Sequence, residues 1–282
     1  MTTIFPAYDF VREIAGDNAA VTQLLPPGAE SHTFEPTPRD IIAIQQSDLF
    51  IYTGGEGDVW IDDILESMGE KAPATLKMVD CVELLEAEAA NGEHHDEHHH
   101  PGDGHHHDFD EHVWTSPKNA VKIAEAIAQK LAEMDKANAE AYNGRFGSYS
   151  NKLEMLDEKL TDTVNSAKRK LILVGDRFPF LYLAKHYGLD YYAAFSACGS
   201  EGDASAATVA LLVDTVEQQQ LPAVLHIEFS NKSVANAIAE ASGVEIKQLH
   251  SCHNVTKEEL QNGVSYISLM EQNIKTLNEV LN

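Results

Sequence analysis

From residue 170 to the C-terminus, short apolar runs alternate four times with helical patterns. The runs cover 170–174, 191–195, 222–227 and 244–249; the helical stretches between and after them cover 180–187, 204–219, 232–241 and 257–281. Short runs dominated by apolar residues are the mark of buried strands. Strands that alternate with helices predict a parallel sheet with helices packed on both sides. In open sheets of this kind ligands bind outside the carboxyl ends of the strands. That rule directs attention to the residues at the end of each run: Asp176, Glu228 and His250, with Cys252 and His253 just beyond.

The first half repeats the rhythm. Expected strands lie at 20–25, closed by Pro26-Pro27-Gly28, at 48–52, closed by Thr53-Gly54-Gly55, and at 76–81. Expected helices run over 37–47 and 59–68, the first with Pro38 in its opening turn, where a missing N–H costs nothing. Helical periodicity returns from Ser116-Pro117, with Val121, Ala124, Ile127, Ala128 and Leu131 on one face. A second helical stretch, 142–168, contains no Pro and carries Leu153, Leu156, Leu160 and Val164 at spacings of three and four. A helix of that length spans roughly 35–40 Å, enough to cross a domain. The fold expected is α/β with two lobes, 1–141 and 169–282, each a mainly parallel sheet flanked by helices, joined by one long rigid helix over 142–168. The 282 residues suit two domains at about 150 residues each.

Between the halves the pattern is interrupted at 91–111 by a tract of histidine, aspartate and glutamate. His94, His95, His98, His99, His100, His105, His106 and His107 fall inside it, and His112 stands at its acidic end. Imidazole is the commonest protein ligand for divalent transition metals, and its ordinary pKa of about 6.5 leaves it mostly neutral at pH 7. A solvated polar loop with no metal role is the plainer reading, but eight imidazoles in so short a run argue against it. The tract lies mid-chain, so it is not a terminal purification tag.

Charge narrows the partners. Twenty basic against forty-five acidic residues leave a net charge of −25, which argues against nucleic acid, because phosphates need clustered Lys and Arg. No run approaches the ~20 apolar residues of a membrane span. Three cysteines are too few for a disulfide scaffold, and none form a CxxC pair; a Cys198–Cys252 bridge stays open. The first residues do not read as a signal peptide, leaving either a cytosolic protein or a chain trimmed of its leader.

The chemistry-bearing residues have competing readings. A lone loop histidine such as His32 is ordinarily a surface residue; Asp176 could cap the helix after it; His253 could be a turn residue. His186 reads as a charge at a helix C-terminus, and His226 as a core histidine. Glu228 could ligate metal or orient an imidazole that does. Together, two imidazoles from one half and a carboxylate plus imidazole from the other could close a four-coordinate zinc site between the lobes.

The segments PPGAESHTFEPTPRDI, SDLFIYTG and DEHVWTSPKNA, in that order around an acidic histidine loop, resemble the zinc- and manganese-type substrate-binding proteins of bacterial ABC importers. PAYDFVREIAGDN and SYISLMEQNIKTLNEVL extend the likeness over nearly the whole chain. The resemblance implies two α/β lobes joined by a long helix, metal in the cleft between them, and His32 and His112 as the first two ligands. It also implies a third ligand ten residues before an aromatic-Gly pair. Counting back from Tyr187-Gly188 reaches Arg177, which stays protonated and cannot bind metal. Asp176 is then the expected substitute, with His250 as the fourth ligand and His253 and Glu228 as alternatives.

The function expected is therefore capture of Zn2+, rather than Mn2+, which prefers more oxygen ligands, and its delivery to the membrane permease of an ABC importer. A monomer outside the cytoplasm is expected, tethered if at all through a removed N-terminal anchor. The eight tract histidines are expected to collect zinc weakly near the cleft. A zinc-sequestering adhesin or buffer would use the same binding chemistry. A zinc hydrolase would need an open coordination position and a general base, and no HExxH-type spacing is present.

Overall fold

A computed structural model gives the structure of the protein, and it describes residues 1–30, 33–88, 109–197 and 204–282. His32, the tract histidines 94–107 and Cys198 lie outside the described residues.

The C-terminal half holds a four-stranded sheet of β3 (Leu171–Arg177), β4 (Asp190–Phe195), β5 (Ala223–His226) and β6 (Glu245–Gln248) in the order β4-β3-β5-β6, every pair parallel. Its crossovers are α6 (Leu181–Tyr187), α7 (Ala206–Gln219) and α8 (Ser233–Ser242). From β3 the chain turns one way to β4 and the other way to β5, so a crevice opens at the carboxyl ends of β3 and β5. Gly175 lets α8 lie against β3: a side chain there would come within 2.7 Å of the Ala235 backbone.

The N-terminal half has a smaller parallel pair, β1 (Leu49–Tyr52) and β2 (Ala74–Lys77), with α1 (Phe5–Ala15), α2 (Pro38–Gln45) and α3 (Val59–Met68). Thr37 begins α2 with a reciprocal capping box to Asp40, and Pro38 stands in its first turn as expected. The apolar run at 20–25 does not become a strand; its pairing reduces to one bridge between Gln23 and Thr2. Thr2 sits between this segment and β1, bridging Ile51 on its other side. The strand expected at 76–81 ends at Lys77, where the chain tightens into a 3₁₀ turn at Val79–Cys81.

Helix α4 (Pro117–Met134) leads into α5 (Ala139–Asn165), 27 residues and about 40 Å long. Tyr142, Tyr149, Leu153, Leu156, Leu160 and Val164 form its buried stripe, which packs on α1, on α4 and on the closing helix α10 (Tyr266–Val280). One continuous core runs from Ile4 to Leu281 through both halves. The helix expected over 257–281 is two: α9 (Lys257–Gln261) stops at Gly263, whose φ of 75° favours glycine, and Ser265 caps α10 afresh.

Candidate metal centre

The crevice at the ends of β3 and β5 narrows to a cavity of about 20 Å³, lined by Glu30, His112, Arg177, Glu228, His253 and Asn254 with several apolar neighbours. That is room for one water or ion.

His112 closes the segment Asp110-Glu111-His112, all three nearly inaccessible. Glu111 is fixed first: it lies so close to Gly55 that any side chain there would collide with it, and it accepts a hydrogen bond from the Gly57 amide at 3.0 Å. Asp110 is held by its carbonyl, which accepts from the Tyr182 hydroxyl at 2.8 Å. Its carboxylate Oδ1 then takes both the His112 amide, at 2.8 Å, and His112 Nδ1, at 3.0 Å. With the proton held on Nδ1 by a carboxylate, the lone pair sits on Nε2, the arrangement that orients and strengthens a metal-binding imidazole. Burial works against a charge on His112, but Asp110, by charge and hydrogen bond, and Glu111 outweigh it and raise its pKa above the ordinary value, while Arg177 pulls the other way.

His253 comes from the opposite half. Its ring stands edge-on to that of His112, centroids 5.7 Å apart, and packs on Trp114 at 4.9 Å. Trp114 is itself tied across the halves by its indole N–H, which donates to the Ser251 carbonyl at 2.8 Å. The turn that presents His253 passes through Cys252 at φ 62°, a left-handed conformation that few non-glycine residues adopt. Glu228, just past β5, pins that turn: its carboxylate accepts from the Ser251 amide (2.7 Å), the Ser251 hydroxyl (2.5 Å) and the His253 amide (3.2 Å). Next to it, the Asn254 side chain donates to the carbonyls of Pro26 (2.8 Å) and Ala29 (2.9 Å) and accepts from Gln23 (3.0 Å), fastening the loop that carries Glu30.

Arg177 reaches that same loop. Its guanidinium makes a two-pronged ion pair with Glu30, Nη2 to Oε2 at 2.9 Å and Nη1 to Oε1 at 3.4 Å, across the crevice.

Residues 1–280 match the family described as "Zinc-uptake complex component A periplasmic". The chain belongs to this family. It is 32% identical over 279 residues to the zinc-binding lipoprotein AdcA of Streptococcus pneumoniae, covering 99% of this chain but 55% of that protein, so it spans little more than half the length of that relative. The high-affinity zinc uptake system protein ZnuA of Bacillus subtilis is 31% identical over 281 residues, covering all of this chain and 86% of that one. Among solved structures, the Zn(II)-bound ZnuA-like domain of pneumococcal AdcA superposes with a TM-score of 0.81 at 30% identity, over 99% of this chain and 97% of that one. A laminin-binding adhesin of Streptococcus agalactiae, at 23% identity and a TM-score of 0.84 over 100% and 98% of the two chains, shares the fold. The two-lobed α/β architecture expected from the sequence is that of these family members.

Of the residues singled out from sequence, the structure brings His112, Glu228 and His253 to one cavity. Asp176 and His250 are buried but do not line it. Asp176 Oδ1 accepts from the Arg177 amide at 2.8 Å, and Oδ2 has no hydrogen-bond partner among the described residues. His250 Nδ1 accepts from the Cys252 amide at 2.9 Å, so this imidazole supports the turn, leaving a buried Nε2 without a partner among the described residues. His226 is a core histidine bonded to the Ile227 carbonyl, with its pKa lowered chiefly by burial. His186 lies in the last turn of α6, where its ring meets the Ser116 hydroxyl. Among the described residues no three His, Cys, Asp or Glu side chains converge closely enough to hold a metal ion. Sequence reading missed Asn254 and the crossing of Arg177 to Glu30; the motif SCHN displays Asn254, but nothing local says which loop it fastens.

Proposed function

We propose that this protein is a zinc receptor working outside the cytoplasm: it captures Zn2+ in the cleft between its halves and passes it to the permease of an ABC importer. The observation that carries this reading is the pairing of His112 and His253, from opposite halves, in one small cavity, with His112 held by Asp110 in the tautomer that offers Nε2. His32 is the third imidazole, two residues along the chain from Glu30, which lines the same cavity. His253 is proposed in the place expected from sequence for His250, because His250 Nδ1 accepts from the Cys252 amide, which puts the proton of the neutral ring on Nε2 and leaves no lone pair there for a metal. A further donor completes four-coordination, the number zinc prefers. Asp176 remains the C-terminal carboxylate proposed from sequence, although it stands outside the cavity lining. The eight tract histidines are proposed as an accessory collector.

Binding rather than catalysis fits a cavity with space for little beyond the ion. The test is zinc competition against a chromophoric chelator for His112→Ala, His253→Ala and His250→Ala. The first two should weaken the tight site by at least about tenfold, as loss of a ligand or its orienting partner does. His250→Ala should weaken it less than either. Equal or greater loss with His250→Ala would return the fourth ligand to His250.

A further inference from the structure

The metal cavity offers two kinds of donor: imidazole nitrogen from His112 and His253, and side-chain oxygen from Glu30, Glu228, Ser251 and Asn254. Each of those oxygens is already engaged. Glu228 accepts from the Ser251 amide on Oε2, and from the Ser251 hydroxyl and the His253 amide on Oε1. Ser251 Oγ, besides donating to Glu228, accepts from the His253 amide at 3.2 Å. Asn254 Oδ1 accepts from the Gln23 side chain at 3.0 Å and from the Val255 amide at 2.9 Å. Glu30 alone among these four is held by a charge, the two-pronged guanidinium of Arg177, at 2.9 and 3.4 Å.

Both members of that pair are fixed by their own halves. Arg177 closes β3, in register with Phe195 of β4. Its guanidinium stays protonated and is buried, and a buried charge needs an opposite one, so an ion entering the cavity recruits Glu30 only by stripping Arg177 of it. The loop that carries Glu30 is fastened without the pair: the Asn254 side chain donates to the carbonyls of Pro26 and Ala29, and the Gly28 amide donates to the Val255 carbonyl at 2.9 Å. Taking the guanidinium away therefore leaves the Glu30 carboxylate beside the cavity instead of letting its loop swing off.

We propose that Arg177 sets the metal preference of the cleft by holding the Glu30 carboxylate away from the bound ion, so that divalent cations are selected on imidazole rather than on oxygen. The inference rests on the zinc reading given above. Zinc is satisfied by four donors and accepts imidazole readily, so an added carboxylate gains it little. Mn2+ takes six donors and prefers oxygen, so the carboxylate supplies what the cavity otherwise withholds from it. The positive charge of Arg177 repels both dications alike and cannot tell them apart. Discrimination comes from the oxygens that the guanidinium occupies, which makes Arg177 a specificity-determining residue acting through Glu30.

The test is competition of Zn2+ and, separately, of Mn2+ against chromophoric chelators of matched strength, on the whole metal-stripped chain. Arg177→Met should raise the affinity for Mn2+ relative to that for Zn2+ by at least about tenfold, the lower end of what changing a ligand's hydrogen-bonded partner does. Adding Glu30→Gln removes the carboxylate while the charge at 177 stays absent, and should return the ratio of the two affinities to the wild-type value. Arg177→Lys keeps a positive charge but not the two-pronged fork. It should move the ratio the same way by a smaller factor, and it keeps the test decisive if Arg177→Met fails to fold. A ratio unchanged in the variants at 177, or one that stays shifted in the double variant, overturns the proposal. A wild-type chain with no tight zinc site overturns this inference and the zinc reading together; a tight wild-type zinc site with an unchanged ratio overturns this inference alone.

Discussion

Glu228→Gln tests whether the cavity is built to present His253. Glu228 is 6% exposed, and its two oxygens receive three donors: the Ser251 amide on Oε2, and the Ser251 hydroxyl with the His253 amide on Oε1. Glutamine keeps the shape but has one acceptor oxygen. If its NH2 replaces Oε2, the Ser251 amide faces another donor and loses its bond. If it replaces Oε1, the Ser251 hydroxyl can turn to accept, and the His253 amide keeps only Ser251 Oγ, 3.2 Å away. Either arrangement loses charge assistance in a buried place, a loss of about 1–3 kcal/mol. For a chain of this size that lowers Tm by roughly 2–8 °C. The affinity effect discriminates further. Because the lost bonds hold a turn that already carries Cys252 at φ 62°, His253 loses its fixed aim, and removal of an orienting partner costs about 10–100-fold in metal affinity. The assay is chelator competition for zinc beside thermal unfolding in EDTA. A lower Tm with unchanged zinc affinity would refute the reasoning, reducing Glu228 to a structural brace and removing His253 from the ligand set.

Three other outcomes are expected. Zinc affinity should fall on acidification from above pH 6.5, because a His112 pKa raised by Asp110 and Glu111 makes protons compete early; Asp110→Asn should move that fall to lower pH, as followed by chelator competition across a pH series. Deleting residues 93–107 should reduce the number of zinc ions bound per chain while leaving one tight site, as counted by equilibrium dialysis; loss of the tight site would make the tract itself the site. Asp9 is buried, which raises its pKa to about 6 against Tyr266 and Arg12, which lower it. The folded state therefore holds this proton more tightly than the unfolded state, so its contribution to stability grows as pH falls from about 6 towards 4 and is lost as pH rises through 6, a span of about 3 kcal/mol. Asp9→Asn should flatten denaturant-unfolding stability over that range.

Much of the fold is legible because burial on two faces writes itself into consecutive apolar residues. The run at 170–174 overlaps the first part of β3, and those at 191–195 and 222–227 match β4 and β5 closely. The run at 20–25 looks the same but becomes a single bridge, because the segment beside it, Thr2 and Thr3, turns into α1 at Phe5 and gives it only a few backbone hydrogen bonds. The break at Gly263 is overlooked for a related reason: helical periodicity continues through 257–281, while the left-handed turn and the Ser265 cap that divide it involve three residues.

Residue type and short spacing, which a linear chain displays directly, are enough to reveal the alternation of strands and helices, the acidic surface, the histidine-rich tract and the segment DEH with its metal-ready imidazole. They are not enough to choose between His250 and His253 as the imidazole facing His112. The two are three residues apart, and the left-handed step at Cys252, braced by Glu228 from the turn after β5, sets which one points into the cavity. Nor do they show that Arg177 spans the crevice to Glu30, 147 residues away along the chain. Direction and long-range pairing come from how loops of two halves pack together, and no local pattern of residues encodes them.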